Sequence, residues 1–232
     1  PPRSTLFPYT TLFRSVNLAK TIIARRIARE FKDNQLVNLG IGLPTLVANH
    51  IPDGINVIFQ SENGIIGMGP APQPGQENPD ITNAGGALVT VLPYGCYFDT
   101  AMSFALIRGK HVEYTVLGAL EVDQEGSLAS WIIPGKKVPG MGGAMDLVVG
   151  AKNVIVSTLH TERGKPKILK KCSLPLTAKH VVNMIVTELA VFRVTPGGLA
   201  LIEINKDSSV DEIRANTAAD FIVADNLKTM EV

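Results

Sequence analysis

Leu36-Val37-Asn38-Leu39-Gly40-Ile41-Gly42-Leu43-Pro44, together with Asn56-Val57-Ile58-Phe59-Gln60-Ser61-Glu62-Asn63-Gly64 behind it, decides how this chain folds. Leu36 to Leu39 is a short apolar run of strand length. Gly40-Ile41-Gly42 is a turn, and Thr45 to His50 reads as the start of a helix. Asn56 to Gln60 is a second strand. Strand, glycine turn, helix and strand in that order argue an α/β architecture with a largely parallel central sheet. Glycines in such a turn let the backbone approach a ligand, and the helix N-terminus offers unpaired N–H groups to an anion or oxyanion. The same turn also fits a tight strand-to-helix connection that binds nothing. There is no third glycine at dinucleotide-binding spacing, no acidic residue placed for a ribose, and no P-loop lysine.

Working outward, Leu18, Ile23, Ile27 and Phe31 fall near helical spacing among Lys20, Arg25, Arg26 and Arg29. They predict an amphipathic helix of about four turns from Val16. Pro1 to Ser15 has no initiator methionine and no helical period, and nearly repeats itself. It reads as a non-native segment (1–15) ahead of one domain (16–232). Downstream, Gly67 to Asn83 is rich in glycine and proline and is expected to be mostly loop. Strands are expected at Ala87–Leu92, His111–Leu117, Asn153–Ser157, Leu199–Ile204 and Phe221–Ala224. Asp99 caps a helix running through Arg108, and Gly140-Met141-Gly142-Gly143 precedes a short one. Ser209 and Glu212 form a capping box for a helix to Thr217. The expected fold is α/β: an open, mostly parallel, Rossmann-like sheet with flanking helices.

Composition narrows the function classes. Of 232 residues, 45% are apolar and 19% charged, as in a globular protein. Lysine plus arginine is 22 against 21 aspartate plus glutamate, so nothing points to nucleic acid. No apolar run approaches the ~18 residues of a membrane span, and no secretory leader is recognisable. Cys96 and Cys172 lie far apart; they imply no disulfide framework, suit a reducing cytoplasm, and are expected to be buried small hydrophobes. His50, His111, His160 and His180 show no metal-ligand spacing and read as surface or satisfied core residues. The basic run Lys165 to Lys171 reads as a solvated loop.

Glu62 is the main candidate for chemistry. It follows a strand, and ligands of parallel α/β sheets bind at the carboxyl ends of strands. Ile65, Ile66, Gly67, Met68 and Gly69 around it are uncharged, a setting that would desolvate a carboxylate and make it a better nucleophile. Asn63-Gly64 is equally a hairpin turn signal, in which Glu62 could be a solvated turn residue. Gly140 to Gly143 could likewise present N–H groups in a concave arrangement or be an ordinary connection.

Several longer motifs, in order, resemble one family. Ser61-Glu62-Asn63-Gly64 with Gly67-Met68-Gly69-Pro70, and Asn38-Leu39-Gly40-Ile41-Gly42-Leu43-Pro44 ahead of it, resemble the active-site region of family I coenzyme A transferases. So do Ile133-Pro134-Gly135-Lys136, Gly140-Met141-Gly142-Gly143-Ala144-Met145-Asp146-Leu147 and Lys170-Lys171-Cys172-Ser173-Leu174-Pro175-Leu176-Thr177. The resemblance, which runs from about Val16 to the C-terminus, is to the B (β) subunit of the acetoacetate or butyrate–acetoacetate type.

The resemblance implies that Glu62 attacks an acyl-CoA thioester, forms a mixed anhydride, and then carries coenzyme A as a glutamyl thioester in a ping-pong exchange with a short-chain carboxylate. No general base is needed, because a glutamate of reference pKa about 4.3 is ionised at neutral pH. It places oxyanion donors on the backbone N–H groups of Asn38 and Gly143. Gly40, Gly42 and Gly142 would keep side chains away from the thioester, and Asn63 and Gly64 complete the expected coenzyme A contacts. It implies no metal and no tightly bound cofactor, since coenzyme A arrives as substrate. It also implies an α subunit as partner, in an α2β2 heterotetramer with the site near the interface. Two rivals are a sugar-phosphate isomerase of related fold, for which no acid/base pair accompanies Glu62, and a non-catalytic acyl-CoA-binding regulatory module, which would not need Glu62.

Overall fold

The computed structural model describes residues 8–136 and 138–232, with side chains from residue 16 onward. In chain order the first half comprises α1 (Pro8–Ala28), β1 (Leu36–Leu39), a 3-10 helix (Leu43–His50), β2 (Ile58–Ser61), β3 (Ile65–Met68), β4 (Val91–Tyr97), α2 (Thr100–Arg108) and β5 (Tyr114–Gly118). Then come β6 (Glu121–Asp123), β7 (Leu128–Ala129), α3 (Ala144–Gly150), β8 (Asn153–Ser157), β9 (Thr161–Glu162), β10 (Lys165–Pro166) and β11 (Ile168–Leu169). The chain closes with β12 (Met184–Val186), β13 (Ala190–Thr195), β14 (Gly198–Ile204), α4 (Val210–Asn216) and β15 (Phe221–Thr229).

Among the described residues a ten-stranded sheet runs in the order β15-β14-β13-β12-β8-β5-β1-β2-β3-β4. Its middle, β12 through β8, β5 and β1 to β2, is parallel. Antiparallel pairs flank that middle, β2–β3–β4 on one side and β12–β13–β14 on the other, and β15 returns parallel to β14. The expected α/β sheet with flanking helices is present, parallel at its centre and mixed at its margins.

Alternation along the central strands divides the core into two layers. Val154 and Val156 of β8 face α2, α3 and α4, packing with Ile107, Leu147 and Ile213. Ile155 faces the opposite side and joins Val37, Val116 and Val186 under α1. There Ile23 and Ile27 are fully buried and Phe31 nearly so. Each such side chain contributes about 1.5–3 kcal/mol by leaving water, which seats α1 on the sheet. Arg26 adds an ion pair across the layers: it is 7% exposed, lies 2.7 Å from Glu30, and donates to both carboxylate oxygens of Glu203 on β14.

Several expectations are corrected. The N-terminal helix starts at Pro8, before Val16, so part of the 1–15 segment is helical; proline suits a first helical turn. Pro1 to Phe7 lie outside the described residues. Thr45 to His50 belongs to a 3-10 helix. The strand expected at Ala87–Leu92 forms later, at Val91–Tyr97, because 81–89 folds back on itself first: Asn83 N donates to Ala87 O and Val89 N to Ile81 O. As the sheet's edge strand, β4 tolerates Pro93. The Lys165–Lys171 run contains β10 and β11 rather than only loop. Cys96 is exposed, contrary to expectation, and Cys172 is half-buried, its thiol pushed up to about 12 by burial and by the Asp123 and Glu121 carboxylates.

Other expectations match, the capping box only in part. Asp99 caps α2 by accepting from Met102 N at 2.8 Å. Ser209 caps α4 by accepting from Glu212 N, while the Glu212 carboxylate takes its bond from Ser208 Oγ instead of closing the capping box. His160 is a satisfied core residue, its two ring nitrogens bonded to Thr187 Oγ1 and Thr217 Oγ1. Burial lowers its pKa to about 4.

Candidate active site

β2 ends at Ser61, and Glu62-Asn63-Gly64 makes the turn into antiparallel β3. The turn is closed by Gly64 N donating to Ser61 O at 3.0 Å and tied to the following segment by Phe98 N donating to Gly64 O at 3.0 Å. Gly64 has φ +123°, and a Cβ there would sit 2.1 Å from Phe98 O, so only glycine fits. The Glu62 side chain is thereby set at the carboxyl end of a core strand, half-buried.

Three elements converge on it. From β1, the Asn38 side chain donates through Nδ2 to Glu62 Oε2 at 3.1 Å and to Gln60 Oε1 at 3.0 Å. From the start of α3, Gly143 lies close enough that a Cβ would be 3.4 Å from Glu62 Cγ and 3.2 Å from the Phe104 ring. The Gly143 N–H has no hydrogen-bond partner among the described residues and stays free for an incoming oxygen. From the loop beyond β3, Asn63 Nδ2 donates to Thr82 O at 2.7 Å and Ala84 N donates to Ser61 Oγ at 2.9 Å, holding 82–84 beside the turn.

These walls enclose a cavity of about 360 Å³ lined by Leu39, Ile41, Gly42, Met68, Leu88 and Glu62 among others. Glu62 is the one charged residue among those lining it. A carboxylate at the edge of an apolar cavity, anchored through one oxygen, can serve as a nucleophile with the other. Only Oε2 has a partner among the described residues.

The structure brings together Glu62, Asn38, Gly143 and Gly42, and disperses the rest. Gly40 sits behind the site, where a Cβ would press on Val116 O at 3.0 Å, and its own N–H donates to Val116 O. Gly142, with φ +52°, borders a separate cleft with Arg108, Lys110 and Met145. Asn63 clamps the Thr82 loop, and Gly64 shapes the turn. At Asn38 the expectation concerned the backbone N–H. That backbone lies mid-strand, paired with Gln60 and Thr115, and it is the side-chain amide that reaches Glu62. Gln60 and Ser103 were not anticipated: Gln60 Nε2 donates to Ser103 Oγ at 2.9 Å. The i, i+2 relation of Gln60 to Glu62 was the available signal; Ser103 inside α2 gave none. Among the described residues no cluster of three His, Cys, Asp or Glu side chains could hold a metal ion, and no helix is long and apolar enough to cross a membrane.

The profile of the family described as Coenzyme A transferase matches residues 20–216. The chain belongs to the coenzyme A transferase family. Within it, the chain is 54% identical over 212 residues to the acetate CoA-transferase subunit beta of Escherichia coli K12, covering 91% of this chain and 97% of that protein. It is 50% identical over 216 residues to the mitochondrial succinyl-CoA:3-ketoacid coenzyme A transferase 2B of Mus musculus, covering 92% of this chain and 42% of that protein. The crystal structure of the acyl-CoA transferase YdiF apoenzyme from Escherichia coli O157:H7 shares the fold, with TM-score 0.74 at 23% identity over 92% of this chain and 43% of that chain. This chain therefore spans less than half of the two longer relatives.

Proposed function

We propose that this chain is the B (β) subunit of a short-chain acyl-CoA:carboxylate coenzyme A transferase and that Glu62 is its covalent nucleophile. The observation that carries the reading is the Glu62 carboxylate, held through Oε2 by the Asn38 amide at 3.1 Å, beside Gly143, on an otherwise uncharged cavity wall. Oε1 attacks the thioester carbonyl carbon of an acyl-CoA. The C–S bond breaks, coenzyme A leaves as thiolate, and a mixed anhydride forms. The thiolate then attacks the Glu62 carbonyl carbon and expels the first carboxylate, leaving a glutamyl-CoA thioester. The acceptor carboxylate reverses both steps, and no proton has to move.

Each attack on the Glu62 carbonyl places negative charge on the oxygen held by Asn38 Nδ2. The free Gly143 N–H suits the oxygen of the acyl group. One such donor typically supplies about 3 kcal/mol to a transition state. The cavity of about 360 Å³, with no cation among its lining residues, has room for acetyl, butyryl or acetoacetyl groups. The beta designation of the bacterial relative supports an α subunit as partner; the proposed assembly is α2β2, with the partner completing the site.

The test uses the complex with that partner. Adding acyl-CoA is expected to shift the mass of the Glu62 peptide by one coenzyme A adduct. Labelled acetate is expected to enter acetyl-CoA with the native complex and not with Glu62→Ala. Exchange that survives in Glu62→Ala would end the nucleophile reading, and a steady-state screen of acceptor acids assigns the substrate pair.

A further inference from the structure

We infer that Gln60 and Ser103 are positioning residues, which hold the Asn38 amide in the one orientation that donates to Glu62. The inference rests on the reading of Glu62 as nucleophile. Asn38 is in register with Gln60 on β2 and with Thr115 on β5, and parallel partners project their side chains to the same face. Three polar side chains thus cross the sheet in a row, all at most 1% exposed, under the fully buried Ser103 of α2. Next in the row is Val154, part of the apolar core. Buried polar groups left without partners cost about 1–3 kcal/mol each; Thr115 Oγ1 has no partner among the described residues, whereas Asn38 and Gln60 are bonded to each other.

The bonding has a direction. A glutamate carboxylate only accepts, so Asn38 must turn Nδ2 toward it. The same Nδ2 donates to Gln60 Oε1 at 3.0 Å, which turns Gln60 Nε2 outward to Ser103 Oγ at 2.9 Å. Asn38 Oδ1 has no partner among the described residues, so the amide is anchored from its Nδ2 side alone. Without the Gln60 side chain, Nδ2 keeps Glu62 Oε2 and the longer bond to the Gln60 backbone O at 3.3 Å, so Asn38 is held less firmly, and a displacement on the order of 1 Å in such a site can cost about a hundredfold in rate.

The experiment makes Gln60→Met, which keeps length and removes both side-chain bonds while leaving the backbone carbonyl, and Ser103→Ala, which removes only the outer acceptor. Both are assayed in the complex, with active sites counted by the mass of the coenzyme A adduct. The expected result is a loss of about 10- to 100-fold in kcat per counted site for Gln60→Met, with KM for acyl-CoA changed less than about threefold. Ser103→Ala is expected to lose about threefold or more, with unchanged Tm. In an Asn38→Ala background, Gln60→Met is expected to add less than about twofold, because it acts through Asn38. A Gln60→Met complex with kcat per site within twofold of native, or with its full loss added to that of Asn38→Ala, overturns the inference. Should Gln60→Met not fold, Ser103→Ala decides, since native kcat per site there overturns it as well. If the native complex forms no adduct on Glu62, the nucleophile reading has failed; if it forms one and the variants match it, only the positioning role falls.

Discussion

Asn38→Asp tests the contact on which the site depends. The change is isosteric, but it sets an acceptor where a donor stood, 3.1 Å from Glu62 Oε2. At an effective dielectric of about 20, two unit charges ~3 Å apart repel by about 5 kcal/mol. That repulsion disfavours ionising both carboxylates at once, so the second ionisation of the variant pair is raised. The variant pair therefore holds a shared proton to higher pH than a lone carboxylate, which neutralises the Glu62 carboxylate over part of the range. Asn38→Ala loses the same donor without adding a charge. Both variants should be slower than native by about 10²–10³-fold at pH 7. Their pH profiles should separate: Asn38→Asp gains activity with rising pH as the shared proton leaves, whereas Asn38→Ala runs parallel to native. The assay is acetate exchange into acetyl-CoA from pH 5.5 to 9 with the complex, with thermal unfolding measured in parallel. An Asn38→Asp profile parallel to native would refute the placement of the Asn38 amide against Glu62.

Three further outcomes are expected. Gly64→Ala forces a Cβ against Phe98 O and a φ of +123° on alanine, so it should cost about 3 kcal/mol or more and most of the activity together; a variant of native Tm and rate would show that the turn adapts. Arg26→Met leaves Glu203 and Glu30 without their buried partner and should lower stability by about 3–5 kcal/mol, read as a drop in denaturation midpoint, and a loss under 1 kcal/mol would contradict the ion-pair account. Acidification should destabilise the fold through His160, whose folded pKa of about 4 lies below its unfolded value of about 6.5. The unfolded chain then binds the proton first, so the penalty is absent above about 6.5 and grows to on the order of 3 kcal/mol as pH falls to 4. Urea unfolding of the native chain and of His160→Gln should converge over that window, and parallel curves would show that His160 does not carry the effect.

Local chemistry was enough to mark the parts that sequence order alone can specify. Asn153–Ser157, the Asp99 and Ser209 caps and the glycine run ahead of α3 all formed as their residues dictate, because caps and short apolar strands are decided within a few residues. The motif around Glu62 marked the nucleophile candidate in the same way, by residue type and position at a strand end. What folds through distant contacts was not legible. Ala87–Leu92 has strand character, but its backbone partners lie at Ile81, Asn83 and Pro70, so the ladder begins only at Val91. Cys96 has the composition of a core residue and ends up exposed on an edge strand, because strand order across the sheet sets its surroundings.

The same division runs through the site. Sequence by itself determined that a carboxylate would stand in a glycine-bounded turn after a core strand, and with it the family the motifs resemble. Only the tertiary structure decided what touches that carboxylate. Asn38 and Glu62 are 24 residues apart, and Gly143 follows much later. Their meeting depends on β1 pairing with β2 in the register Asn38↔Gln60 and on α3 packing against α2 over the same face. A register shift of one residue would turn the Asn38 amide to the opposite face of the sheet, because side chains alternate along a strand. The amide that holds Glu62, and the Gln60 and Ser103 behind it, are therefore properties of the sheet and its helices, which no single stretch of the chain contains.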